Sequence, residues 1–320
     1  MSEPLVEAVN LKKYFKTPKG LLHAVENVNF KLYEGKTLGV VGESGCGKST
    51  LGRTVLRLHQ ATDGQVFFKG EDILKYKKRE MHKVQLNMQM IFQDPYSSLD
   101  PRMSVRSLIS EPLEVIGNTK NLSHHEVKAK VENIMELCGL PLDHANLYPH
   151  ELDGGLRQRV GLARAMILEP KFIVCDEPVS ALDVSIQAQI LNLLMDLQDE
   201  KGLSYMFITH DLAVVKHISD EIMVMYMGQV IEYAKTEDLF RNPVHPYTRA
   251  LLNAIPTIDL SRKHREKITL NGEVTSPINP APGCRFAKRC PYASEKCSVE
   301  PQLMEVEPGH FVTCTVGSSF

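Results

Sequence analysis

The chain has 320 residues, which suits one large domain with an extension better than a single minimal core. Hydrophobic residues make up 43% and charged residues 24%, the balance of an ordinary globular protein, and the formal net charge of -2 argues against broad electrostatic binding of nucleic acid. No run of about 18 apolar residues is present, and the N-terminal residues lack the segments of a secretory signal. We therefore expect a chain that neither spans a membrane by itself nor is secreted.

The pattern of apolar residues predicts strands that alternate with helices. Strands are predicted at 5–10, 23–34, 37–41, 66–68, 88–92, 171–175, 204–208 and 222–225, and a helix at 184–198. This alternation favours an α/β core with a parallel sheet. A helical stretch in the middle indicates an inserted subdomain, and a shift to proline, glycine and cysteine after about residue 256 marks a separate tail.

A glycine-rich loop at residues 42–50 reads GESGCGKST, which matches G-x-x-x-x-G-K-[S/T] between a predicted strand and a predicted helix. Its glycines let backbone N–H groups turn toward phosphate oxygens, and the helix N-terminus adds partial positive charge. Lys48 is expected to reach the β- and γ-phosphates and Ser49 to bind Mg²⁺, while Cys46 is a small filler. The residues predicted to contact the nucleotide here are Gly42, Ser44, Gly45, Cys46, Gly47, Lys48, Ser49 and Thr50.

Two acids, Asp176 and Glu177, follow the predicted buried strand 171–175. Asp176 can hold a Mg²⁺-bound water, and Glu177 can orient or deprotonate the water that attacks the phosphate. Downstream of a phosphate-binding loop, this pair favours nucleotide hydrolysis over a solvated turn. His210 stands at the end of another predicted strand and is expected to contact the γ-phosphate, with a structural histidine as the alternative.

Together these motifs make residues 5–255 resemble the nucleotide-binding subunits of ABC transporters. The resemblance implies ATP as the nucleotide and a P-loop NTPase core with a mixed sheet. It also implies that Gln93 senses Mg²⁺ and faces a membrane subunit, and that Asp183 lies in a loop crossing a dimer interface. Phe15 matches the aromatic residue that stacks on adenine, with Tyr14 as the alternative.

The segment 151–159 stands where this family has its signature, usually Leu-Ser-Gly-Gly-Gln. The resemblance implies that Asp153, Gly154 and Gly155 close over ATP held by a partner subunit. Asp153 replaces the serine and Leu156 the glutamine. An aspartate brings negative charge toward the γ-phosphate and can cap its own helix instead. We therefore expect a degenerate signature beside an intact nucleotide-binding loop.

The tail narrows the family, because residues 241–248 (RNPVHPYT) and 283–292 (GCRFAKRCPY) resemble ATPase subunits of dipeptide and oligopeptide permeases. The resemblance implies an import motor that pairs head to tail with a second ATPase subunit and drives two integral membrane permease subunits. An extracytoplasmic solute-binding protein would deliver the peptide, and the chain would lie peripherally on the cytoplasmic face of the membrane. The predicted domains are an ATPase domain at 1–255, its helical subdomain at about 95–165, and a cysteine-rich extension at 256–320.

Four of the seven cysteines lie within 31 residues, spaced Cys-x5-Cys-x6-Cys-x16-Cys. In a cytosolic protein such a group more often binds a metal than forms disulfides. The absence of a Cys-x2-Cys pair and the resemblance of the tail favour a [4Fe–4S] cluster, with Zn²⁺ or metal-free thiols as alternatives. The expected ligands are Cys284, Cys290, Cys297 and Cys314.

Other classes of function fit parts of the sequence less well. Soluble ABC ATPases of translation usually carry two cassettes and those of DNA repair a long coiled coil, and the sequence shows one cassette and no such coil. A third possibility is a metal-sensing module built on an inactive ATPase. The replacement of the signature serine by Asp153 is consistent with an inactive ATPase, but the presence of Glu177 and His210 argues against one. The sequence therefore predicts an ATPase motor for peptide import, with import of nickel or another solute as the alternative.

Overall fold

The computed structural model describes residues 3–115, 122–254 and 277–314. The strands in these ranges are β1 (Val6–Thr17), β2 (Gly20–Leu32), β3 (Thr37–Val41), β4 (Asp63–Phe68), β5 (Glu71–Asp72), β6 (Met88–Ile91), β7 (Phe172–Asp176), β8 (Ser204–Thr209), β9 (Glu221–Tyr226), β10 (Gln229–Lys235), β11 (Met304–Glu307) and β12 (His310–Val312). The helices are α1 (Lys48–Val55), α2 (Lys78–Asn87), α3 (Pro95–Ser98), α4 (Val105–Val115), α5 (His124–Leu137), α6 (Gly154–Met166), α7 (Val184–Lys201), α8 (Leu212–Ile218), α9 (Thr236–Arg241) and α10 (Pro246–Asn253).

The chain divides into two compact units. The first unit comprises Met1–Val6, Leu32–Lys36 and Phe67–Ile208, and the second comprises Glu7–Lys31, Thr37–Val66 and Thr209–Phe320.

In the first unit, three strands pair in parallel in the order β6-β7-β8. All five residues of β7 are buried, as expected for a central parallel strand covered on both faces. The register pairs Ile91 with Cys175, so the carboxyl ends of β6 and β7 lie side by side. Residues that follow these two strands therefore meet at one edge of the sheet, where α/β proteins place their functional groups.

In the second unit, β3 pairs in parallel with β9, and the remaining pairs β9-β10, β10-β12 and β12-β11 are antiparallel. Parallel and antiparallel pairing together confirm the predicted mixed sheet. Most of β1, β2 and β4 also belongs to this unit, in the order β2-β1-β4. Because Val312 pairs with Glu232, the tail adds strands to the sheet that contains β3.

Helix α7 ends at Lys201, beyond the predicted end at residue 198. Leu197 is the last buried apolar residue of the helix, and the polar turn that follows it is still helical. Gly202 ends the helix in a left-handed conformation, with φ of 64°. A periodicity of apolar residues cannot indicate a final turn that contains only polar side chains.

The predicted boundary between residues 255 and 256 lies outside the described residues, so the predicted division into domains stays a prediction. The span predicted as a helical subdomain contains α4, α5 and α6, which pack on one another. Within the described ranges, no helix combines the length and the apolar character needed to cross a membrane.

Candidate functional site

The glycine-rich loop joins β3 to α1 in the second unit and adopts a backbone that requires glycine. Gly47 is the residue before α1 and has φ of 109°, and a Cβ atom there would lie 2.0 Å from the carbonyl oxygen of Ala24. A Cβ on Gly42 would lie 2.2 Å from the carbonyl oxygen of Met225. Side chains at either position would push the loop away from the strands below it.

Lys48 is the residue around which the glycine-rich loop is wrapped. Its side chain is buried, and Nζ donates hydrogen bonds to the carbonyl oxygens of Gly42 at 2.8 Å and Glu43 at 3.1 Å. The loop thus holds the buried ammonium group of Lys48, the first residue of α1, in place. Ser49 and Thr50 follow it in the first turn of the helix. Cys46 is also buried, and burial raises the pKa of its thiol, which agrees with a filler rather than a reactive group.

The acids predicted to act in catalysis lie at the end of β7 in the first unit. Asp176 is fully buried, and the backbone N–H of Glu177 donates to the carbonyl oxygen of Ile208 at 2.9 Å. Glu177 has φ of 47°, a left-handed conformation that is uncommon for a residue with a side chain. Gln93 follows β6, and its Nε2 donates to Glu177 Oε2 at 3.0 Å. Two of the predicted residues are therefore in direct contact.

The degenerate signature forms the N-terminus of α6, also in the first unit. Asp153 is the N-cap residue, and its Oδ1 accepts a hydrogen bond from the backbone N–H of Leu156 at 2.8 Å. A Cβ on Gly155 would lie 2.8 Å from Ile186 Cγ2, so α6 and α7 approach closely there. Asp183 precedes α7 without a side-chain capping bond. The capping role that the sequence allows for Asp153 is thus present in the structure.

The two candidate aromatic residues for adenine have different surroundings in the second unit. The ring of Tyr14 stacks on His23 with centroids 4.1 Å apart, and its hydroxyl donates to Glu26 at 2.6 Å. Phe15 meets the edge of His59, with ring centroids 5.5 Å apart. Tyr14 is therefore held on both its ring and its hydroxyl, and the assignment to Phe15 stays a prediction.

His210 follows β8 and is exposed to solvent. Asp211, the next residue, caps α8 by accepting from the backbone N–H of Ala213 at 2.7 Å. The histidine therefore stands after the end of a strand, as the sequence predicts, and a helix that the sequence analysis did not predict follows it.

The four tail cysteines lie in one region of the second unit. Burial raises the pKa of the Cys284 thiol to about 11, and Cys297, Cys314 and Cys290 add smaller electrostatic contributions in the same direction. Within residues 3–115, 122–254 and 277–314, no group of three or more His, Cys, Asp or Glu side chains could hold a metal ion. The predicted four-cysteine metal site is therefore not supported by the structure.

Tyr247 and Arg289 contact the glycine-rich loop, a role that the sequence did not indicate. The Tyr247 hydroxyl accepts a hydrogen bond from the backbone N–H of Glu43 at 2.9 Å, and Arg289 forms an ion pair with the Glu43 carboxylate at 2.8 Å. Both residues stand in the tail segments that carry the family resemblance, but no local pattern connects them with Glu43, which precedes them by 204 and 246 residues.

A glycine-rich loop around a buried lysine and an acid pair at the end of a buried parallel strand are the features of a P-loop NTPase. A family model described as "ABC transporter" matches residues 25–180, and one described as "Oligopeptide/dipeptide transporter, C-terminal region" matches residues 231–297. Both matches agree with the resemblance predicted from the motifs.

Relatives match almost the whole chain. An oligopeptide transport ATP-binding protein of Bacillus subtilis is 49% identical over 326 residues, covering 98% of this chain and 97% of the relative. One of Salmonella typhimurium is 51% identical over 304 residues, covering 95% and 90%. A dipeptide transport ATP-binding protein of Haemophilus influenzae is 49% identical over 318 residues, covering 97% and 96%.

Among solved structures, a dimeric ATP-binding cassette in a post-hydrolysis state bound to ADP and Pi superposes with a TM-score of 0.66 at 28% identity. The superposition covers 72% of this chain and 98% of that one. The chain therefore belongs to the family of oligopeptide and dipeptide transport ATP-binding proteins, which are ABC-type ATPases.

Proposed function

We propose that the chain is the ATP-hydrolysing motor subunit of an ABC importer for dipeptides or oligopeptides. The observation that carries this proposal is the joint match of one chain to the ABC transporter model and to the C-terminal region of peptide transporters. The matched tail is described for oligopeptide and dipeptide transporters, which favours a transporter over a soluble ABC ATPase of translation or repair. Peptide is favoured over nickel because the relatives described above are named for oligopeptide or dipeptide transport.

In this function the residues of the second unit bind the nucleotide. Lys48 neutralises the β- and γ-phosphates, the amides of the glycine-rich loop surround them, and Ser49 ligates Mg²⁺. Mg²⁺, when bound, neutralises charge that develops on the phosphate oxygens. Phe15 stacks on adenine, and His210 contacts the γ-phosphate. The buried ammonium of Lys48, already held by two carbonyl oxygens, supports this assignment.

Residues of the first unit carry out hydrolysis. Asp176 and Gln93 are assigned to interaction with Mg²⁺ by the motifs in which they stand, and Glu177 orients or deprotonates the attacking water. The hydrogen bond from Gln93 to Oε2 favours one orientation of the Glu177 carboxylate. A fixed carboxylate is what a general base needs to act on a single water molecule.

The proposed partners are a second homologous ATPase subunit and two integral membrane permease subunits, with an extracytoplasmic solute-binding protein acting indirectly. The chain would pair head to tail, with Asp183 at the dimer interface and Asp153, Gly154 and Gly155 over the partner's ATP. A dimeric cassette among the superposed structures supports this pairing. The chain would act on the cytoplasmic face of the membrane.

We also propose the division into an ATPase domain at 1–255, with its helical subdomain at about 95–165, and a tail at 256–320. A [4Fe–4S] cluster on Cys284, Cys290, Cys297 and Cys314, with Zn²⁺ as the alternative, remains a separate proposal for the tail. Its support is the spacing of the cysteines and their common region.

The decisive experiment is co-expression of the chain with its candidate membrane subunits and second ATPase, followed by purification of the complex and reconstitution into vesicles. ATP hydrolysis should depend on the membrane subunits and should drive uptake of a labelled peptide in the presence of the solute-binding protein. A complex with Lys48→Ala should assemble and lose nucleotide binding by this chain. Failure to co-purify with any membrane subunit, or uptake of nickel in place of peptide, would overturn the proposal.

A further inference from the structure

The tail segment from Cys284 to Cys290 is fixed to the second unit by side chains that lie between the two cysteines. Phe286 is almost completely buried, and its ring centroid lies 5.3 Å from that of Tyr226 and 5.5 Å from that of Tyr247. These contacts hold the tail segment against the end of β9 and the start of α10. The segment is therefore a packed part of the unit that contains the glycine-rich loop.

Arg289, just before Cys290, connects the tail segment directly to that loop. Its Nη1 and Nη2 donate to the two carboxylate oxygens of Glu43 at 2.8 and 3.1 Å, a two-bond arrangement. The Arg289 side chain is 8% exposed and that of Glu43 is 25% exposed, so water screens the pair only in part. The hydrogen bonds to Glu43 raise the pKa of Arg289 above its usual value.

Glu43 is bonded through all of its polar groups. Its carboxylate accepts from Arg289, its backbone N–H donates to the hydroxyl of Tyr247, and its carbonyl oxygen accepts from Lys48 Nζ. The same residue thus joins the tail to the cation of the glycine-rich loop. A shift of Glu43 would move one of the two carbonyl oxygens that hold Lys48.

We propose that Arg289 is a positioning residue for nucleotide binding: it holds Glu43, and through Glu43 it fixes the glycine-rich loop and Lys48 in the conformation that receives phosphate. The inference rests on the proposed function in so far as that loop binds ATP. It makes the affinity for ATP depend on the tail, although the tail lies about 240 residues from the loop in sequence. Arg289 acts through the loop and does not contact nucleotide itself.

The test measures Mg-ATP binding to the purified full-length chain by isothermal titration calorimetry. Arg289→Gln removes the charge and the paired hydrogen bonds, and the dissociation constant should rise about tenfold, since loss of a charged hydrogen bond is a change of about this size. Glu43→Gln should weaken binding several-fold. The double variant should bind no more weakly than Arg289→Gln alone, because both substitutions break the same link.

Arg241→Gln is the matched control, because it breaks an arginine–aspartate pair on the surface of the same unit. It should leave the dissociation constant within twofold of the wild type. A merely structural role for Arg289 would lower the melting temperature and the number of binding sites per chain without changing the dissociation constant of the folded fraction. That result, or additive effects of Arg289→Gln and Glu43→Gln, would overturn the inference.

Lys48→Ala separates this inference from the proposed function. If Lys48→Ala retains wild-type ATP affinity, the glycine-rich loop does not bind the nucleotide and the proposed function fails. If Lys48→Ala loses binding while Arg289→Gln retains it, the proposed function stands and only the positioning role is refuted.

Discussion

Gln93 donates a hydrogen bond from Nε2 to Glu177 Oε2 at 3.0 Å, joining residues that follow two neighbouring parallel strands. Glu177 is also held through its backbone, whose N–H donates to Ile208 while φ is 47°. Strain of this kind persists only where surrounding contacts enforce it, and it is concentrated at functional sites. The main chain of Glu177 is thus held by Ile208, and its carboxylate accepts a hydrogen bond from Gln93.

The first prediction concerns Glu177→Gln. The amide has the size of the carboxylate but cannot accept a proton, so ATP binding should persist while hydrolysis falls by about 10²–10⁴-fold, the contribution of a general base. Turnover is measured in the assembled complex and binding by calorimetry. Glu200→Gln, an exposed substitution in α7, should leave both unchanged. Near-wild-type hydrolysis by Glu177→Gln would remove this residue from the catalytic role.

The second prediction concerns Asp153, which caps α6 through the N–H of Leu156. In a homodimer this aspartate would approach both γ-phosphates, and a penalty of about 1.4 kcal/mol would already weaken nucleotide-driven closure tenfold. Asp153→Ser with Leu156→Gln restores the family signature and keeps a capping side chain. The isolated double variant should therefore dimerise more tightly with ATP, as measured by sedimentation in the Glu177→Gln background.

Asp153→Asn is the control that separates charge from capping, since asparagine caps a helix about as well as aspartate. If the negative charge of Asp153 weakens dimerisation, Asp153→Asn should dimerise with ATP nearly as tightly as the double variant. Equal dimerisation by the wild type, Asp153→Asn and the double variant would show that Asp153 acts only as a cap that turns away from phosphate.

The sequence predicted those parts of the site that depend on neighbouring residues. The glycine-rich loop, the acids after β7 and the cap at Asp153 are each encoded within a few positions, because turn and helix-end geometry is local. The Gln93–Glu177 contact depends on the strand order β6-β7-β8, which periodicity does not reveal. The Arg289–Glu43 pair joins residues 246 positions apart, and long-range packing such as that of Phe286 on its aromatic neighbours brings them together.

The third prediction tests the proposed cluster in the tail. If the cluster forms, anaerobically purified protein should be brown and contain about four iron atoms per chain. Cys284→Ser with Cys297→Ser should remove the iron, while Cys138→Ala, at a buried thiol in the first unit, should retain it. Stoichiometric zinc without iron would show that the cysteines bind zinc and not an iron–sulfur cluster. Absence of both metals would agree with the described side chains, in which no metal-holding group is present, and would refute the proposal.

The fourth prediction concerns the buried imidazole of His245, whose Nδ1 accepts from the backbone N–H of Tyr247 at 3.1 Å. Burial lowers the pKa of His245 to about 4, although the nearby Glu232 acts in the opposite direction. The unfolded chain has the ordinary histidine pKa of about 6.5, so between these values it binds a proton that the folded chain does not. The free energy of unfolding should therefore fall as the pH drops below about 6.5, by about 2 kcal/mol at pH 5 for this group alone.

His245→Asn removes this titration and keeps a side chain that can cap α10. Urea unfolding at pH 7.5 and pH 5 should show a smaller loss of stability in His245→Asn than in the wild type, because all other titrating groups remain in both proteins. His217→Asn, at an exposed position in α8, serves as the control and should keep the wild-type loss. If His245→Asn and His217→Asn lose the same stability between the two pH values, His245 does not remain neutral in the folded chain.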